Sequence, residues 1–275
     1  MGYKQLEMNE AIMLRTEEND VLSFDYTSRL QKGGALLEDM RRLVLAWSDD
    51  LMDGDPLQVA MRALGKATGA RAKDTYVRSF RPRFIHGDPP NAWKLARMLE
   101  DAGASLEVLR PFYYWLTARA EKPLYEYVTN ELCARGTSTL RIEVNDVIVW
   151  LRDRLEAEGR GWSPTILRKV ARGMLAALRD FDILQGKTKK SLAPQHLSAE
   201  AFAIIAFSLH KIGASGKGLV HHPDWRLFLL GDHEVERCFL EAHQAGWLSF
   251  HAAGNIFRID FPAETFQEYV HAILD

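Results

Sequence analysis

The sequence predicts a mainly α-helical fold, with a helical N-terminal domain followed by winged-helix (helix-turn-helix) domains that carry short β-hairpins. Three observations carry the prediction. Apolar residues recur at i, i+3, i+4 and i+7 along most of the chain, the period of a half-buried helix. Between Thr139 and Leu192 two such helices are joined by Gly159-Arg160-Gly161 and flanked by short alternating runs. From Asp232 to Leu274 a helix, two strand-like runs and a last helix repeat the plan.

In chain order, residues 1–25 form an acidic N-terminal arm with six acidic and two basic residues. The arm is either loosely held or a helix from Gln5 to Glu17 docked on a basic face. Broken by charge, it is no signal peptide. The helical domain covers 26–120. Lys32-Gly33-Gly34 is a turn, and Leu36 to Asp49 is amphipathic, with Leu36, Met40, Leu43, Val44 and Trp47 inward. Asp53-Gly54-Asp55-Pro56 breaks the chain and starts a helix from Pro56 to Lys66. It lacks the carboxylate spacing of a calcium loop, so capping is its expected role.

A third helix, Ala72 to Arg83, is basic: Arg62 to Phe84 holds seven Lys/Arg against Asp74. With a turn at Gly69 this suits either a second helix-turn-helix or a solvated, salt-bridged face. Ala92 to Ala102 and Ser105 to Ala120 follow as helices. Phe112, Tyr113, Tyr114 and Trp115 in the second have the spacing of core residues, and Pro111 kinks or starts that helix.

The domain at 121–196 is the basic one. Leu124 to Arg135 suits a helix. Leu140, Ile142 and Val144 alternate with polar residues as in a strand. Asn145 can cap a helix from Asp146 to Glu158. Ser163 is a good N-cap and Pro164 a good first helical residue. Leu167, Val170, Ala171, Met174, Leu175 and Leu178 form the buried stripe, which leaves Thr165, Arg168, Lys169 and Arg172 outside it. Phe181 to Leu184 and Ser191-Leu192 read as strands around the lysine-rich turn Gln185 to Lys190. In a winged helix the last helix enters the major groove and the hairpin touches the backbone. From Arg160 to Lys190 there are eight Lys/Arg against Asp180 and Asp182, in a chain of net charge −2. Such a local excess is a footprint for phosphate. It suits duplex DNA, RNA, an acidic protein, or solvent alone. On the DNA reading, Thr165, Arg168, Lys169 and Arg172 lie at the major groove. Lys187, Lys189 and Lys190 meet the backbone, and Arg78, Arg81 and Arg83 continue the track.

The domain at 197–275 is acidic. Ser198 caps a very apolar helix, Ala199 to Lys211. Gly213 to Gly218 lacks the P-loop order and reads as a connection. His221, His222, Asp224 and His233 are the best metal candidates, yet they lack the spacing of a zinc site. A helix from Asp232 to Ala245 and strands Trp247 to His251 and Ile256 to Phe261 lead to a last helix, Ala263 to Leu274. Gly231 to Asp275 carries eight Asp/Glu against Arg237 and Arg258, a surface for packing or for a protein.

At 275 residues with 47% hydrophobic content, the chain can build real cores. Cys133 and Cys238 fall in apolar helical patterns and are expected as buried thiols of a reducing cytoplasm. No apolar run is long enough to span a membrane. None of the common motifs for nucleotide binding, hydrolysis or metalloprotease chemistry occurs. The expectation is therefore a soluble, cytoplasmic protein that is no enzyme and has no cofactor and no metal.

Several stretches taken together resemble the BrxA family of the bacterial BREX (bacteriophage exclusion) defence systems. They are Tyr26 with Lys32-Gly33-Gly34-Ala35-Leu36 and Glu38; Tyr76-Val77-Arg78 through Arg83-Phe84; Trp93; Phe112-Tyr113-Tyr114; Leu124 to Val128; and Trp162-Ser163-Pro164-Thr165 through Leu184. Their order and spacing carry the likeness, which runs from Tyr26 to the C-terminus; the acidic arm has no counterpart in it. The resemblance implies a small, non-enzymatic, mainly helical protein that binds double-stranded DNA and works beside other BREX defence proteins. It supplies no catalytic residue. A protein-protein scaffold of the defence complex and an RNA-binding module are the alternatives.

Overall fold

The computed structural model describes residues 25–49, 55–66, 68–135, 141–194 and 196–275. The acidic arm before Asp25, Asp53-Gly54, and Leu140 of the expected strand lie outside the described residues. The described chain is mainly helical, with two small two-stranded antiparallel sheets.

The first helices form where their caps dictate. Helix α1, Leu37–Ala46, follows Leu36 in a left-handed conformation and buries Met40, Leu43 and Val44. Helix α2, Pro56–Leu64, is capped by Asp55, whose carboxylate accepts from the Leu57 and Gln58 N–H groups at 3.1 and 3.2 Å. The expected capping role of Asp55 is thus observed. The turn after α2 is made by Gly65 at φ 54°, not by Gly69, which is the first residue of α3, Gly69–Thr75. Helix α3 runs on as a π-helical stretch, Tyr76–Ile85, with Pro82 inside it. Proline has no N–H for the usual α-helical bond, and the wider register accommodates the gap.

Helices α4, Ala92–Asp101, and α5, Leu106–Ala120, come next. Pro111 neither starts nor ends α5. Phe112, Tyr113, Tyr114 and Trp115 are all buried in it. Helix α6, Lys122–Glu126, continues through a π turn, Tyr127–Leu132, to Arg135. Helix α7, Val144–Ala157, starts two residues before the expected Asp146. Asp146 instead closes a capping box and accepts from the Glu143 N–H at 2.9 Å. Helix α8, Pro164–Asp180, leads to β1, Leu184–Gln185, and β2, Ser191–Leu192.

The C-terminal part holds α9, Ala199–Lys211; the short α10, Gly216–Val220; and a 3₁₀ segment, Pro223–Phe228. Helix α11, Asp232–Gln244, precedes the hairpin of β3, Ser249–Ala253, and β4, Ile256–Asp260. Helix α12, Phe266–Leu274, is capped by the Thr265–Glu268 box.

One buried apolar cluster extends from Tyr26 to Ile273. Its aromatic contacts link all parts of the chain: Tyr114 packs on Phe181 at 5.2 Å and on Phe228 at 5.6 Å, and Phe112 meets Phe266 at 5.9 Å. Two buried carboxylates reinforce this. Glu121 pairs with Arg29 and Arg83 at 3.4 and 3.3 Å. Asp224 accepts from Trp115 Nε1 at 2.6 Å, Arg119 Nη1 at 2.6 Å and the Tyr125 hydroxyl at 2.8 Å. A charge taken out of water persists only when paired and hydrogen-bonded, so each carboxylate gathers the donors of several elements. No described helix is long and apolar enough to cross a membrane.

Candidate nucleic-acid interface

Helix α8 is positioned by its own sequence. The Ser163 hydroxyl accepts from the Ile166 N–H, and Pro164 occupies the first turn. Leu167, Val170, Ala171, Met174, Leu175, Ala177 and Leu178 are buried. Thr165, Arg168, Lys169 and Arg172 are all exposed. On the flank of this face, Gly173 meets the backbone of the N-terminal 3₁₀ turn, Arg29–Gln31, so closely that an added β-carbon would lie 2.0 Å from the Leu30 carbonyl oxygen. This contact and the packing on α7 fix the rotation of α8, and with it the direction of the basic face.

The hairpin follows directly. Phe181 and Leu184 are buried, while Asp182, at φ 60°, turns the chain out of the helix and pairs with Arg110. Gly186 adopts φ 91°, and a β-carbon there would lie 2.1 Å from the Lys189 carbonyl oxygen. Only glycine fits that turn. Lys187 and Lys189 are exposed at its tip. Lys190 is half-buried, and its ammonium donates to the Lys187 carbonyl at 2.6 Å. The Ile142 N–H donates to the Lys190 carbonyl at 2.9 Å and adds a one-residue third strand to the hairpin.

The eight basic residues expected to act together are not equivalent. Arg160 is paired with Asp25 and Arg179 with Asp180. Among the described residues no carboxylate pairs with Arg168, Lys169, Arg172, Lys187 or Lys189. Arg97 and Arg258, by contrast, are each held by a neighbouring carboxylate at 2.8 Å. Among the described residues, uncompensated cations therefore remain on one face of α8 and at the tip of the hairpin that follows it.

The extension through Arg78, Arg81 and Arg83 does not form as expected. Arg83 is 1% exposed and sits inside the core, where it pairs with Glu121 and donates to the Gly34 and Ala35 carbonyls at 3.3 and 3.2 Å. Burial pulls its pKa below the ordinary arginine value. It cannot touch a macromolecule while the chain is folded. Arg78 is half-exposed and shares Asp74 with Lys32; Arg81 is half-buried. Arg141 lies outside the basic stretch from Arg160 to Lys190. It is exposed beside Ile142, on the strand that extends the hairpin. Its place off the apolar alternation of that strand was the available signal.

The metal candidates are not gathered into a site. His222 accepts from the Asp224 N–H at 3.2 Å, and burial lowers its pKa, while Asp224 is already occupied by Trp115, Arg119 and Tyr125. Among the described residues no group of three or more His, Cys, Asp or Glu is placed to hold a metal.

A family model described as BrxA matches residues 24–208, more than half of the chain. The match takes in the helical domain, α8 and the basic hairpin, and ends within α9. No curated protein and no solved structure matches the chain. The chain belongs to the BrxA family, which makes it a component of BREX phage defence.

Proposed function

We propose that this BREX component is a non-enzymatic protein that binds double-stranded DNA, and that residues 141–192 work as a winged helix. One observation supports this most: Arg168, Lys169 and Arg172 stand exposed on one face of α8, and Lys187 and Lys189 stand exposed on the hairpin that follows it, all without a carboxylate partner among the described residues. Holding unpaired like charges together costs energy in the isolated protein, and a polyanion relieves it by releasing its counterions. The major groove admits an α-helix such as this one with its turn of cations, and the hairpin would reach the flanking phosphates. Thr165, exposed in the first turn, would meet a phosphate or a base edge on this reading. Arg141 joins the hairpin side of this surface.

The test is the double variant Arg168→Ala/Arg172→Ala, assayed for duplex binding beside its melting temperature. Weaker binding with unchanged melting supports the reading, and unchanged affinity sinks it. Excess structured RNA as competitor separates an RNA module from a DNA module.

A second reading, a scaffold within the defence complex, draws on the C-terminal part. Asp232, Glu234 and Glu241 are exposed on α11, and Ile256 is 74% exposed at the tip of the β3–β4 hairpin. A scaffold would lose its partner on changes there and keep it when the α8 cations are removed.

A further inference from the structure

We propose that the acidic segment Glu17 to Asp20 of this chain's own N-terminal arm docks on the basic face of α8 and occupies it until nucleic acid displaces it. The docking stands on its own; the displacement rests on the DNA-binding reading above.

The path of the described chain leads the arm to this place. Asp25 is ion-paired with Arg160 in the turn that precedes α8. Tyr26 is buried, its hydroxyl donating to Glu126 at 2.6 Å and its ring 6.3 Å from Trp150. Five residues after Asp25, the Leu30 carbonyl lies against Gly173. The segment from Asp25 to Leu30 therefore runs along α8 from its N-terminal end to its middle. Lys169 is four residues before Gly173, one turn away on the same side of the helix. Whatever precedes Asp25 thus leaves the core beside the first turns of the basic helix.

Charge and length fit as well. Residues 1–24 carry Glu7, Glu10, Glu17, Glu18 and Asp20 against Lys4 and Arg15. Glu17, Glu18 and Asp20 form the densest acidic group, and the nearest to Asp25. An extended chain spans at most about 3.3–3.6 Å per residue, so the five to eight residues back from Asp25 reach roughly 17–28 Å. From Ser163 to Arg172 the helix rises only about 14 Å, at 1.5 Å per residue. The acidic group can therefore lie over Arg168, Lys169 and Arg172, which have no carboxylate of their own among the described residues. The Asp25–Arg160 pair is already one acid–base contact between this end of the chain and the basic unit. A tethered anion acts at high effective concentration, so weak individual ion pairs suffice.

The test is zero-length carbodiimide cross-linking of the intact chain without DNA, read by peptide mass spectrometry. The Lys122–Glu158 pair, 2.7 Å apart, is the internal control for reaction. The expected product joins Lys169 to Glu17, Glu18 or Asp20 within one chain, and disappears in E17Q/E18Q/D20N. No such product while Lys122–Glu158 cross-links overturns the proposal, as does a product found only between two chains. Added duplex should suppress the Lys169 product, and E17Q/E18Q/D20N should bind duplex severalfold more tightly. A chain that cross-links as expected but binds no duplex keeps the docking and refutes the DNA reading. A chain that binds duplex without losing the cross-link refutes the displacement.

Discussion

The carbonyl oxygen of Leu30 occupies the place beside Gly173 where any other residue would carry its β-carbon, and an added methyl would lie 2.0 Å from that oxygen. The basic helix is seated on the N-terminal turn through this contact. Gly173→Ala must push the two segments apart. Overpacking of this kind costs about 1–3 kcal/mol. The variant should melt at lower temperature than wild type and bind duplex less tightly, because α8 is displaced.

Gly186 sets the shape of the basic hairpin. At φ 91°, with the Lys189 carbonyl oxygen 2.1 Å from an added β-carbon, Gly186→Ala cannot keep this turn. The left-handed conformation alone costs about 1–2 kcal/mol for a residue with a side chain. Duplex affinity should fall towards that of a variant lacking Lys187 and Lys189. Titration of labelled duplex against both proteins checks this.

Glu121 is fully buried between two arginines. Glu121→Gln strands the Arg29 and Arg83 guanidinium groups in the core. Removing one partner of a buried ion pair typically costs about 3–5 kcal/mol. Chemical denaturation should show a lower midpoint. Arg83→Ala should do the same, so any loss of DNA binding in that variant follows from loss of fold. Arg168→Ala should lose binding and keep the midpoint.

Burial lowers the pKa of His222 below the ordinary value of 6.5, against the opposing pull of Asp224. The fold favours the neutral ring, so the unfolded chain binds the proton at higher pH than the folded one. Stability therefore rises with pH in the window just below 6.5, and is lost as pH falls through it towards the folded pKa. Denaturation midpoints from pH 7.5 down to pH 5 should fall less steeply for His222→Gln than for wild type.

Much of this was legible in the sequence because local signals agreed with the fold. Ser163-Pro164 and the stripe from Leu167 to Leu178 placed α8, and the aromatic run of α5 belonged to the core. Charge counting marked the region of the basic face but could not sort its members. Arg83 and Arg168 look alike in sequence, yet one is paired with Glu121, which is 38 residues distant. Arg160 is likewise neutralised by Asp25, a partner that only the fold supplies, whereas Arg179 pairs with its sequence neighbour Asp180. Helix α7 starts two residues before the sequence expectation, because Asn145 is the better cap by residue type, yet the Glu143–Asp146 capping box sets the start. The π register of Tyr76–Ile85 had no periodic signature at all.

The most direct measurement of the central claim is the salt dependence of duplex binding, for wild type and for a variant with Arg168, Lys169, Arg172, Lys187 and Lys189 changed to Ala. Each phosphate contact contributes about 0.9 log units of affinity per log unit of salt. A steep slope is expected for wild type, and a markedly shallower slope with weaker binding and unchanged melting temperature for the variant. Equal slopes and affinities in the two proteins would contradict it.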